Sequence, residues 1–172
     1  MAAFERMDFT EFDVGGICTG RGLAVVDPAD LDRYRQWLND RHYSRSTVDF
    51  ANGIGAVVFK FGELFRWHEQ FGYSLTTESR NLDALRDGFG FCYAADTGHV
   101  LEMLNGEIAL AEDKEWFLGL LSICSEYSHT EMSLGKRFFT TLISPKESSL
   151  IGQTVDRNIV PWPFQFRPRS PL

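Results

Sequence analysis

The chain has 172 residues, 44% of them hydrophobic and 14% aromatic, which is enough apolar side chain to pack one domain of ordinary size with arms and excludes disorder throughout. The net charge of −7 is uneven: residues 55–144 carry 13 acids against 7 bases, while residues 145–172 carry 2 against 4. Nucleic acid needs a basic stripe that displaces counterions, so the acidic middle disfavours direct nucleic-acid binding but not a basic protein partner.

No run of about 18 apolar residues occurs, and "MAAFERMDFTEFD" is acidic rather than basic and then apolar. Neither a membrane span nor a secretory signal is expected, and the expected location is the cytoplasm. Cys18, Cys92 and Cys124 lie far apart with no C-x-x-C spacing, which reads as buried free thiols rather than zinc ligands.

In chain order, "GLAVVDPADLDRYRQWLND" reads as a strand, Leu23 to Val26, and then a helix with Asp27 as N-cap and Pro28 at its first position. Leu31, Tyr34, Trp37 and Leu38 form its apolar stripe. After the polar stretch "RHYSRST", Asn52-Gly53 signals a turn and Ala56 to Phe61 a strand. "ELFRWHEQFGY" returns to helical spacing through Leu64, Trp67, His68 and Phe71.

A short helix follows the "TTESR" loop, N-capped by Asn81 and ended within two turns by Gly88 and Gly90. Its stretch "SRNLDALRDGF" puts Leu82, Leu85 and Phe89 on one side and Asp83 and Asp87 together on roughly the opposite side. Like charges at that spacing cost about 0.2–0.5 kcal/mol in an exposed helix, so the pair does nothing for local stability. It is either a solvated face or a face for something positive.

"HVLEML" is the next strand, "EDKEWFLGLLSICSEYS" a helix with core positions Trp116, Phe117, Leu120, Leu121, Cys124 and Tyr127, and "KRFFTTLI" a last strand. Alternating strands and helices imply an α/β unit with a largely parallel sheet of three to four strands. The tail, with Pro161, Pro163, Pro168 and Pro171 alternating with Trp162, Phe164 and Phe166, is expected to cross the domain as an extended arm. The expected organisation is an N-terminal strand–helix extension over 1–54, a core domain over 55–144 and the arm over 145–172.

Catalytic and metal chemistry find little support. His42, His68, His99 and His129 are scattered without metal-ligand spacing. "GGICTGRG" and "GFGF" complete no phosphate-binding motif. Cys92 or Cys124 with a histidine, and Asp83 with Asp87 as paired acids, lack the surroundings that would tune them for catalysis. No enzyme activity, cofactor or metal is expected.

The motif N-L-D-A-L-x-D, Asn81 to Asp87, resembles the signature helix of the barstar family, intracellular inhibitors of secreted bacterial ribonucleases. The element order from "AVVFKFG" to "KRFFTTLI", about 90 residues, is similar as well. The resemblance implies a cytoplasmic immunity protein, monomeric when free, whose loop and signature helix enter a toxin's basic cleft. By that resemblance the toxin is a nuclease, Asp87 replaces a substrate phosphate, Asp83 is the second acidic contact, and Thr77, Glu78, Arg80 and Asn81 line the contact. The alternative is a barstar-like interaction module with a non-nuclease partner. The family carries an aromatic pair and a glycine just before the motif asparagine. Here Thr77, Glu78, Ser79 and Arg80 stand there, and Arg86 dilutes the acidic patch, which points to a target other than the guanyl-preferring ribonucleases.

Overall fold

The computed structural model describes residues 22–89, 98–145, 147–151 and 153–155, together with the backbone of 162–163. At its centre is an all-parallel sheet of β1 (Leu23–Val26), β2 (Ser44–Asp49), β3 (His99–Leu104) and β4 (Phe138–Ile143) in the order 1-4-3-2. The two-residue β5 (Trp162–Pro163) adds to the far side of β1 in parallel, with Ala24 opposite Trp162. Both strands of the 1–54 segment therefore belong to the same sheet as the core. The rest of the aromatic arm, the amino-terminal segment, Cys18, Cys92 and Gly90 lie outside the described residues.

Residues alternate across the sheet, and the two faces are covered differently. One face carries Leu23, Val25, Val48, Leu101, Met103, Phe138 and Leu142 and forms the larger core. That core is closed by α2 (Gly53–Leu64), α3 (Trp67–Phe71), α4 (Leu82–Phe89), α5 (Gly106–Glu112) and α6 (Lys114–Ser133). The other face, with Val26, Val100, Phe139 and Ile143, packs against α1 (Leu31–Asn39) through Tyr34 and Leu38, flanked by the partly buried Leu31 and Trp37. The expected stripe of α1 is thus its packing face. The Asp27 carboxylate accepts from the Ala29 amide at 2.8 Å and caps the single 3₁₀ turn, Pro28–Asp30, that leads into the helix.

Two expectations are overturned in the segment before the acidic helix. Ala56 to Phe61 is not a strand but the middle of α2, in which Ile54, Val57, Val58 and Phe61 are buried at helical spacing. A short apolar run is ambiguous between strand and helix, and here burial follows i, i+3, i+4, i+7. The turn signalled by Asn52-Gly53 is the end of a 3₁₀ turn, Phe50–Asn52, that leads into a helix rather than a strand. Gly53, at φ +81°, takes the chain from a 3₁₀ turn into α2, and a Cβ there would meet a Glu112 carboxylate oxygen at 2.8 Å.

The neighbouring strand is β2, in the stretch that reads as polar. It lies at the sheet edge, where only Val48 of its six residues is buried, so the apolar alternation that marks a strand is nearly absent. "ELFRWHEQFGY" is likewise two pieces rather than one helix: α2 ends at Leu64, Arg66 takes a left-handed φ of +50°, and α3 starts at Trp67. The expected strand–helix pair before the acidic helix is replaced by two helices, α2 and α3, preceded by β2; from α4 onward the expected order of helix, strand, helix and strand is found, with α5 an additional short helix before α6.

One buried carboxylate sits on the α1 side. Glu102 of β3 has a fully buried side chain, and its oxygens accept from Arg35 at 2.8 and 3.3 Å and from Thr47 at 3.3 Å, with Arg45 at 3.7 Å. Beside it the Tyr34 hydroxyl is 2.5 Å from Thr141 Oγ1, and burial raises the phenol pKa well above its ordinary value. These contacts tie α1 to the sheet through polar groups as well as apolar ones.

Candidate functional site

Helix α4 is short, and its sequence supplies what a short helix lacks in length. The Asn81 side-chain oxygen accepts from the amides of Asp83 and Ala84 at 2.9 and 3.2 Å, which satisfies two of the open donors of the first turn. Leu85 and Phe89 are fully buried and Leu82 is partly buried against the same core. Gly88 does not end the helix, as the sequence suggests, but lies inside it. A Cβ at Gly88 would come within 2.5 Å of the Phe65 ring and 2.8 Å of Trp67, so glycine is needed for α4 to sit this close.

The loop before α4 is built as firmly as the helix. Leu75 is buried against α2, where Gly62 leaves it room, and the Thr77 carbonyl occupies space that a Cβ on Gly55 would fill. Thr76 and Ser79 close a tight turn, with the Thr76 amide donating to Ser79 Oγ at 3.1 Å and the Ser79 amide to the Thr76 carbonyl at 3.0 Å. The Arg80 carbonyl accepts from Trp116 Nε1 at 2.9 Å. Its guanidinium lies 2.6 Å from one Glu112 oxygen, and the other Glu112 oxygen accepts from the Ile54 amide at 2.9 Å. The Ile54 amide, followed by Arg80, holds the Glu112 carboxyl below its ordinary pKa.

This places the loop and the start of α4 beside the first turn of α2 and the α5–α6 junction. Because α2 and α5 leave the carboxyl ends of β2 and β3, the loop belongs to the end of the sheet outside which parallel α/β folds commonly bind ligands. Among the expected contact residues, Thr77, Glu78, Arg80, Asn81, Asp83 and Asp87 are all exposed on this continuous loop–helix surface. Arg80 and Asn81, however, also have structural work, one holding the loop to α5 and α2, the other capping α4.

The acidic face is partly balanced. Arg86 lies 3.5 Å from Asp83 and 3.2 Å from Glu126 of α6, while the Asp83 side chain remains 90% exposed. Exposed pairs of this kind contribute little and leave the carboxylate accessible. Asp87 has no side-chain partner among the described residues. At roughly 100° per residue Asp83 and Asp87 fall about 40° apart and Leu85 on the far side.

The other sequence candidates lie apart from this surface. His42, His68 and His129 are exposed on three different elements or turns. His99 is buried at the start of β3 with Nδ1 2.7 Å from Ser44 Oγ, and burial pushes its pKa down to about 4. Cys124 is a buried free thiol whose pKa burial pushes up to about 12, so it stays protonated at neutral pH. Among the described residues no group of His, Cys, Asp and Glu is arranged to hold a metal, and no helix is long and apolar enough to cross a membrane.

Sequence reading missed Glu112 and Trp116 as supports of the loop, since they lie more than thirty positions beyond it. It also missed that Phe71 and Tyr73 are exposed. No protein-family model matches the chain, and no curated protein matches it.

Proposed function

We propose that this protein is a barstar-like inhibitor that neutralises a nuclease toxin by seating the acidic face of α4 in the toxin's basic cleft. The observation that carries the reading is the pair Asp83 and Asp87, both exposed on a capped helix whose opposite side, Leu85 and Phe89, is fully buried. A carboxylate presented from a rigid element loses little conformational entropy on contact and can take the place of a phosphate among arginines and lysines. The N-L-D-A-L-x-D motif and the order of helix, strand, helix and strand from α4 to β4 support the same reading. Thr77 and Glu78, on a loop pinned by Arg80 to Glu112, extend the contact surface.

The test is capture of the partner from the producing cell with the wild-type chain as bait, then rescue of cells that express the captured protein. Rescue by wild type and loss of rescue with Asp83→Ala/Asp87→Ala supports the plug. Rescue that persists in the double variant removes it, and a captured partner without nuclease activity replaces the nuclease with another target.

A further inference from the structure

Strand β2 ends the sheet: it pairs with β3 on one side, and no strand lies beyond it among the described residues. The Ser44 amide donates to the Gly98 carbonyl at 2.9 Å, so Ser44, Ser46 and Val48 turn their backbone groups towards β3. By alternation Arg45, Thr47 and Asp49 turn theirs outward, and these three amides have no partner among the described residues. All three side chains are exposed as well. The devices that blunt such an edge are missing, since "SRSTVD" holds no proline and its register with β3 runs unbroken from Ser44 to Asp49.

The charges on this edge suit a second copy of the same strand. Two such strands paired antiparallel are related by a two-fold axis, and the residue on that axis decides what stands opposite what. An axis through Arg45 or Asp49 sets like charges against each other, which is unfavourable. An axis through Ser46 or Val48 carries Asp49 or Arg45 past the end of the facing strand. An axis through Thr47 engages all three outward residues, with Thr47 opposite Thr47 and Arg45 opposite Asp49 on both sides. Each Thr47 amide then donates to the other copy's Thr47 carbonyl, and each Asp49 amide to the other copy's Arg45 carbonyl. Threonine pairs and opposite charges directly across from one another are both favourable.

The side chains are free to meet in this way. Glu102 has Arg35 at 2.8 Å and holds Arg45 only at 3.7 Å. Asp49 uses one carboxylate oxygen for the Ala51 amide at 2.9 Å and Asn105 at 2.7 Å, and its other oxygen has no partner among the described residues.

We propose that β2 is a self-association edge, through which two copies of the chain join their sheets antiparallel about a two-fold axis at Thr47. This departs from the monomer that the barstar resemblance implies, and it does not depend on the acidic plug. A pair of six-residue strands is a small contact beside the roughly 1,200 Å² of a stable interface, so the dimer forms with rising concentration and is not obligate. The net charge of −7 opposes association at a distance. Salt at about 0.15 M, where the screening length is about 8 Å, shields that repulsion.

The test follows the full chain by sedimentation velocity at that salt over rising concentration, with hydrogen exchange of the Thr47 and Asp49 amides read by NMR. The mass should move from 19.6 kDa towards twice that value, and both amides should exchange more slowly as it does. Arg45→Asp and Asp49→Arg should each stay monomeric, because each sets like charges opposite one another. Mixed in equal amounts they should dimerise, since every pair across the edge is then of opposite sign. Thr47→Pro, which removes an outward amide that the monomer does not use, should stay monomeric too.

A wild-type mass that stays at 19.6 kDa with unchanged exchange overturns the proposal and leaves the edge to an extended peptide of another protein. A dimer that persists in Thr47→Pro or in either charge variant alone overturns it, as does a mixture that stays monomeric while thermal melts show both variants folded. Where a variant unfolds, the wild-type exchange decides: dimerisation without slower exchange at Thr47 and Asp49 puts the contact elsewhere and overturns the edge.

Discussion

Arg80 and Glu112, thirty-two positions apart, meet at 2.6 Å, and the same carboxylate accepts the Ile54 amide, so one side chain at the end of α5 joins the acidic-helix loop to the start of α2. Glu112 is solvent-accessible, and its value lies in where it holds the loop more than in bulk stability. Its carboxyl pKa is lowered in the folded state below the ordinary value of 4.5. The native form therefore binds protons less readily than the unfolded chain, and the stabilisation is present above that ordinary value and lost as pH falls through the folded pKa. Glu112→Gln should flatten the acid limb of stability measured by urea unfolding between neutral pH and pH about 3. An unchanged acid limb would show that the clamp does not operate in solution.

His99 gives a second pH signature of the same sign through a different cause. Burial lowers its pKa from 6.5 to about 4, so between these values the unfolded chain takes up a proton that the folded chain does not. Stability contributed by the neutral ring is complete above about pH 6.5 and is lost as pH falls towards 4, by at most about 3 kcal/mol. Direct NMR titration of the His99 ring checks this. A ring that titrates at its ordinary value places the imidazole in water rather than between Ser44 and the Phe138 ring.

The core face of α4 is tested by size. Leu85→Ala should destabilise the protein by about 2–5 kcal/mol, whereas Leu82→Ala, at a partly buried position, should cost less. Gly88→Ala forces a methyl towards Phe65 and Trp67 and should cost about 1–3 kcal/mol although it raises helix propensity. Denaturant midpoints rank the three. A stabilised Gly88→Ala variant would mean that α4 stands further from α3 than the contacts described here.

The sheet core and the acidic helix were legible in the sequence because their signals are local. Leu23–Val26 is a continuous apolar run and His99–Leu104 is one interrupted by Glu102, the pattern of strands buried on both faces. Asn81 and the Leu85/Phe89 spacing define α4 by cap and period. What escaped depends on position in the fold. β2 is an edge strand with polar residues on most positions, and α2 hides its period in a nearly continuous apolar run. The Arg80–Glu112–Ile54 link joins segments that no sequence pattern connects. Left-handed residues at Arg66 and Gly72 bound α3, and "FGY" alone gives no sign that Phe71 and Tyr73 are exposed.

Asp87→Ala should leave the fold intact, since the side chain is exposed and without a partner among the described residues. It should weaken toxin binding by about 2–5 kcal/mol, a range known from interfaces of the resembled family's kind rather than obtained from this chain. Calorimetry on the folded variant decides it. Unchanged affinity removes the carboxylate from the contact.

The plug also makes a kinetic prediction that an ordinary apolar interface does not. Before contact, Asp83, Asp87 and Glu78 face water, and their attraction to a basic cleft acts across solvent, where added ions screen it. The screening length falls from about 10 Å at 0.1 M salt to about 3 Å at 1 M, so the association rate should drop steeply over that range. After contact the carboxylates are covered by the partner and ions reach them poorly, so dissociation should change much less. Stopped-flow traces at increasing salt separate the two rates. Asp83→Asn/Asp87→Asn should flatten the dependence of association on salt while Leu85→Ala, if folded, should not, because only the former removes charge from the approaching face. A salt dependence carried mainly by dissociation, or one left unaltered by the double substitution, would place the steering charge elsewhere on the acidic surface than on α4.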